Sequence, residues 1–217
     1  MSLLKSLFRS RQEAGQDTSR VLEHPKDLQL GDIVEFGFTG QQRISNQSLR
    51  VEDIDTCDLG GEQHKKTVFT LRGTGTEEIR LAVVDNGQGE RIELGCPVFP
   101  EDVARIFDQD AFIDLLDPET GVHHILERDG EPEQLAGWTA SVYRQEAGHN
   151  AYYHPGDYRF RQLPDFEEDN AFSYYFLVSD DRQFGLEVQV YDGGRTNVYL
   201  LVYLPISRIE ELWPGGA

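Results

Sequence analysis

Residues 186–203, LEVQVYDGGRTNVYLLVY, decide the fold class. Two runs rich in β-branched and aromatic residues, Leu186–Tyr191 and Asn197–Tyr203, flank Asp192-Gly193-Gly194, which reads as a hairpin turn. Outward from this hairpin the same texture recurs. His123–Glu127, Trp138–Arg144, Tyr158–Arg161 and Phe172–Val178 precede it, and Pro205 ends it. Ser207–Leu212 then reads as a short closing helix before Trp213-Pro214. The first half repeats the pattern with Gly31–Phe38, Ser48–Ile54, Thr67–Arg72, Ile79–Val84 and Arg91–Leu94. Glycine-bearing turns separate these runs, and Asn86-Gly87 after Val84-Asp85 is the clearest hairpin signal there.

Between the halves, Pro100-Glu101-Asp102 opens a helix, since proline suits the first turn and acids complement its positive end. Val103, Ile106, Phe107, Phe112, Ile113, Leu115 and Leu116 carry its apolar face until Asp117-Pro118 stops it. The expected class is therefore α+β, mainly antiparallel β with a central helix and a short N-terminal helix. The two β-rich segments form either small barrels or one extended sheet system. The expected division is 1–24 as an amphipathic helix and tether, 25–118 as a β-rich segment closed by a helix, and 119–217 as a second β-rich segment.

Composition narrows the function classes. The chain has 217 residues, 12 Phe, 9 Tyr and 2 Trp, enough aromatic content for a packed core rather than a disordered acidic tail. Its net charge of −19 repels nucleic-acid phosphate and anionic lipid, so no nucleic-acid partner is expected. Residues 1–12 hold Lys5, Arg9 and Arg11 and no acid; the remainder has 17 bases against 39 acids, a net of −22. In residues 2–9, Leu3, Leu4, Leu7 and Phe8 fall on one helical stripe, with Lys5 and Arg9 turned away. So short a helix needs something to lie on, which marks these six residues for docking on a protein partner or a membrane surface.

Cys57 and Cys96 form no Cys-x-x-Cys pair, which excludes a zinc ribbon or thioredoxin-like motif; both read as buried thiols in a reducing compartment. No apolar run approaches the roughly 20 residues that span a bilayer. The expected location is cytoplasmic, with peripheral membrane contact through the N-terminal helix.

Catalytic signatures are missing. There is no Gly-x-Ser-x-Gly elbow, and Gly87-Gln88-Gly89 lacks the lysine of a phosphate loop. His149 and His154, with Asp157 nearby, would make a ligand or metal site if a loop brought them together. A polar loop with solvated imidazoles is the commoner arrangement. The acidic run Asp165–Asn170 lacks the ligand order of a calcium loop. No cofactor is expected.

Leu28-x-Leu30-Gly31-Asp32-Ile33-Val34, the helix Val103–Phe107, Phe172-Ser173-Tyr174-Tyr175, Tyr191-Asp192-Gly193-Gly194, Leu204-Pro205 and Trp213-Pro214 carry a resemblance. Over about residues 25–214 the chain resembles a bacterial family of unknown function, a domain of unknown function. Its members lie in gene neighbourhoods with phage-shock-A-like membrane-stress proteins and small membrane proteins. The shared motifs are turns and core aromatics, and the family offers no catalytic residues to carry over. The resemblance implies a cytoplasmic accessory protein near an envelope-stress system. The resulting expectation is a non-enzymatic adaptor that binds a protein partner. The alternative is a small-molecule-binding protein or enzyme with a cleft between the two β-rich segments, with His149, His154, Asp157 and Tyr158 as its polar groups.

Overall fold

The computed structural model describes residues 20–60, 65–75, 78–85, 89–117, 124–165 and 168–215. Among them, eleven strands make one antiparallel sheet. These are β1 (Ile33–Phe36), β2 (Ser48–Asp58), β3 (Lys65–Arg72), β4 (Glu78–Asp85), β5 (Glu90–Val98), β6 (Ile125–Glu127), β7 (Val142–His154), β8 (Ala171–Val178), β9 (Phe184–Tyr191), β10 (Thr196–Pro205) and β11 (Ile209–Trp213). Their order is β11-β1-β2-β3-β4-β5-β10-β9-β8-β7-β6. A further pairing sets Thr56, Cys57 and Asp58 of β2 against His154, Tyr153 and Tyr152 of β7. That join closes β2-β3-β4-β5-β10-β9-β8-β7 into an eight-stranded barrel.

The closing strands each carry a bulge, between Val51 and Asp53 in β2 and between Gln145 and Ala147 in β7. An extra residue bends a strand and sharpens its twist. Here each bulge lies near where its strand leaves the barrel: Ser48–Arg50 pair with β1, and Val142–Arg144 pair with β6. The β9–β10 hairpin forms as its sequence dictates. Gly193 and Gly194 take φ of +79° and +82°, which glycine reaches without a Cβ clash.

Alternation along the strands gives the barrel two different faces. The outer face is apolar. Phe69, Leu71, Leu81, Leu94, Leu186 and Leu200 are buried there, in one core with Phe36, Ile106, Phe107 and Trp138 from the covering segments. Each such side chain contributes about 1.5–3 kcal/mol by leaving water. Asp32 ties the two ends of this layer together. Its buried carboxylate accepts from the amides of Gln29 (2.6 Å) and Gly215 (2.8 Å), and it pairs with Arg20.

Several elements differ from the sequence pattern. The central helix is two seven-residue helices, α1 (Pro100–Ile106) and α2 (Gln109–Leu115). Phe107 is extended, at φ −126° and ψ 151°, and Asp108 starts a new helix by accepting from the Ala111 amide at 2.9 Å. The apolar periodicity runs through this break, whereas the cap interrupts the backbone. Ser207–Leu212 does not form a helix: after a 3-10 turn at Ile206–Arg208 the chain becomes β11 and pairs along β1, whose edge would otherwise lack partners. Tyr158–Arg161 is not a strand; Arg159 is held there by the Asp157 carboxylate (2.6 Å). The N-terminal helix expected from residues 2–9 lies outside the described residues.

Candidate functional site

The inner face of the barrel is mixed: a cluster of Ala151, Phe172, Tyr174 and Tyr191 lies beside a set of charged side chains. Lys66 of β3, Arg80 of β4, Glu93 of β5 and Glu187 of β9 meet at its midpoint. Lys66 Nζ lies 2.5 Å from Glu93 Oε1 and 2.8 Å from Glu187 Oε2, and Arg80 lies 3.1 Å from Glu187 Oε1. Three strands separate β3 from β9 in the sheet, so the Lys66–Glu187 contact exists only because the sheet curls shut. Two cations and two anions balance. Gln189 Nε2 donates to Glu187 at 2.7 Å, the Tyr203 hydroxyl donates to Glu93 at 3.1 Å, and the Arg80 guanidinium lies 4.2 Å from the Tyr199 ring centre. Gly185 leaves room for this packing, since a Cβ there would lie 3.1 Å from the Tyr203 hydroxyl.

These neighbours fix the protonation states. Burial pushes the Glu187 carboxyl up, but Lys66 and Arg80 outweigh it and hold it down at about 2. Burial likewise opposes the Lys66 ammonium, yet Glu187 and Glu93 prevail and keep its pKa above the ordinary lysine value. Burial raises the Tyr203 phenol, helped by Glu93, and raises the Cys57 thiol. The cluster therefore holds a charged ammonium, a protonated phenol and a protonated thiol at neutral pH, the resting forms of each.

The ion cluster divides the bore into two mouths. The wider, about 470 Å³, opens among the C-terminal ends of β2, β4, β8 and β10. Leu59, Val84, Phe176 and Val178 give it apolar walls, while Lys66, Glu93, Tyr203 and His149 converge on it. Arg182 and Glu146 pair at its rim, 2.6 Å apart. The opposite mouth, about 290 Å³, is bounded by Asp55, Arg80, Tyr153, Tyr199 and Arg195. Arg195 lies 3.9 Å from the centre of the Tyr191 ring there.

The histidine pair marked by the sequence does not come together. Residues 142–154 are strand rather than loop, and an odd spacing sends His149 and His154 to opposite faces. His149 faces the wider mouth, with its ring 5.3 Å from Tyr174 and its Nε2 2.6 Å from the Leu59 carbonyl. His154 is buried beside Thr56, its ring 6.0 Å from that of Tyr158. Asp157 is paired with Arg159. No group of three or more metal-ligating side chains is found among the described residues. Leu3, Leu4, Lys5, Leu7, Phe8 and Arg9 lie outside those residues.

Sequence reading passed over Lys66, Arg80, Glu93 and Glu187. Each is the polar member of an alternating strand, which ordinarily marks a solvent face. Gly95 and Gly185 at inward positions were the available signal, since strand glycines often mark close approach. Comparison with protein-family models, curated proteins and solved structures finds no match in any of the three. The functional reading therefore rests on this geometry.

Proposed function

We propose that this chain is a non-enzymatic accessory protein that works by binding, and that the wider mouth of the barrel holds a small molecule. The observation that carries this reading is the mouth itself. Its volume lies within the roughly 300–1,000 Å³ of small-molecule sites, with apolar walls and a few convergent polar groups. The resting protonation states of Lys66, Tyr203 and Cys57 support binding over nucleophilic chemistry. The fitting ligand has a compact apolar body for Phe176 and Val178, an acceptor for Lys66 and a donor for Glu93. A cytoplasmic location belongs to the same proposal, supported by two buried cysteines that stand on opposite faces of the sheet and so do not bond to each other.

A metabolite thermal-shift screen tests this. A ligand at about 100 times its Kd adds about 2.7 kcal/mol, or roughly 5–10 °C for a chain of this size. The shift is expected to vanish in His149→Ala and Phe176→Ala proteins that still melt cooperatively. A hit unaffected by both substitutions places the ligand elsewhere and overturns the reading.

The adaptor role, docking a protein partner near a membrane-stress system, is a second reading. One observation favours it: an apolar groove lined by the two helices and β10, with Ile113 exposed on its wall.

A further inference from the structure

The narrower mouth of the barrel, about 290 Å³, is lined by four charged side chains, Asp55, Glu78, Arg80 and Arg195. Two of them are already balanced. Glu78 pairs with Arg72, and Arg80 lies 3.1 Å from Glu187 in the ion cluster. Asp55 and Arg195 have no ion-pair partner among the described residues. Asp55 accepts from the Gly156 amide at 3.1 Å, and Arg195 lies 3.9 Å from the centre of the Tyr191 ring.

The order of the strands sets these two charges across the mouth from each other. Asp55 is on β2, and Arg195 immediately precedes β10, the strand four places from β2 in the ring of eight. Stacking on Tyr191 orients the guanidinium and leaves its N–H edge for an oxyanion, which arginine meets in bidentate fashion. Tyr153 stands beside Asp55; burial and then that carboxylate raise its phenol, which is a neutral hydroxyl at pH 7. Val68 and Pro97 add apolar surface between the two walls.

The pair of charges selects an occupant by sign. An anion alone meets Asp55 as well as Arg195, and a cation alone meets Arg195 as well as Asp55. A neutral apolar molecule leaves both charges without a partner. A molecule with an oxyanion at one end and an ammonium at the other complements both walls.

We infer that the narrower mouth binds a small zwitterion of the amino-acid class, its carboxylate on Arg195 and its ammonium on Asp55, with the hydrocarbon between them against Val68 and Pro97. The ion cluster separates this site from the wider mouth, and the inference does not rest on the ligand proposed there.

The test titrates the full chain calorimetrically with ω-amino acids of increasing length, from glycine to aminohexanoate, at millimolar concentration. One length is expected to bind best, about tenfold tighter than the alkanoate or the alkylamine of the same carbon count. Its affinity should fall about tenfold in Arg195→Ala and, separately, in Asp55→Asn. It should stay unchanged in Arg105→Ala, an equal loss of charge on α1. Arg195 is exposed and Asp55→Asn keeps its shape, so both variants fold, which unchanged melting temperatures verify. Absence of heat from every member of the series overturns the inference. So does equal binding of the alkanoate or the alkylamine, or an affinity indifferent to either charge variant. Binding abolished by Phe176→Ala but not by Arg195→Ala places the zwitterion in the wider mouth and also overturns it. A metabolite screen that finds nothing for the wider mouth leaves these readouts untouched, so the two ideas fail separately.

Discussion

The two faces of the barrel wall solve the same problem by opposite means. On the outside, Leu81, Leu94, Leu186 and Leu200 exclude water and tolerate one another without orientation. On the inside, Lys66, Glu93, Arg80 and Glu187 are buried by the same strands, one residue out of step, and hold only as a complete set. Dispersed apolar contacts degrade gradually when one member is lost. A closed circuit of charge does not, because removing one partner leaves another charge uncompensated in low dielectric.

That contrast can be broken most directly at Glu187. Replacing it with alanine strands Arg80, leaves Lys66 with Glu93 alone, and is expected to cost about 3–5 kcal/mol in urea unfolding at pH 7. A loss under about 1 kcal/mol would mean the inner face is not an energetic circuit. The same residue sets an acid limit. Its folded pKa, about 2, lies below its ordinary 4.5, so its stabilisation is complete above about pH 5 and is lost as pH falls through 2. The alanine variant should lack that segment of the stability–pH curve.

On the outer face Leu81→Ala should cost about 3 kcal/mol, by transfer and cavity terms alone. Measured at pH 7 and at pH 4, the cost should be the same. A strong pH dependence would couple the two faces and spoil the distinction. A smaller effect is expected from Asp108→Ala, which removes the cap of α2 in the covering layer: about 1 kcal/mol, seen as a melting point roughly 2–4 °C lower. If it cost as much as Leu81→Ala, the cap would be holding the packing of Phe112 and Leu115 into the outer core and not only one helix end.

The antiparallel sheet was legible because strand-length apolar runs and glycine turns are local signals. Asp192-Gly193-Gly194 needs nothing beyond its own neighbours to turn. The split of the central helix at Phe107 was partly written in Asp108, an N-cap residue hidden inside an unbroken apolar period. The barrel was not legible, because closure depends on Thr56–Asp58 meeting Tyr152–His154, a pairing with no local signature. Nor was the ion cluster. Alternation in Leu186-Glu187-Val188-Gln189 announces two faces of a strand without saying which is enclosed. The same gap separated His149 from His154: their spacing was visible, but a loop and a strand assign them opposite fates.

The central seam of the sheet, β5 against β10, pairs residues 100 to 114 apart in the chain, and the Lys66–Glu187 contact spans 121 residues. Synthesis therefore delivers Lys66, Arg80 and Glu93 long before the carboxylate that balances them. A chain still on the ribosome carries an unneutralised cation on the surface that must become the interior, and long-range pairings of this kind are slow to find. At roughly 5–20 residues per second, several seconds separate the first half of the circuit from the last. Translation thus imposes a waiting time on this molecule: the newborn half-ring has to be kept from other partners until β9 and β10 emerge.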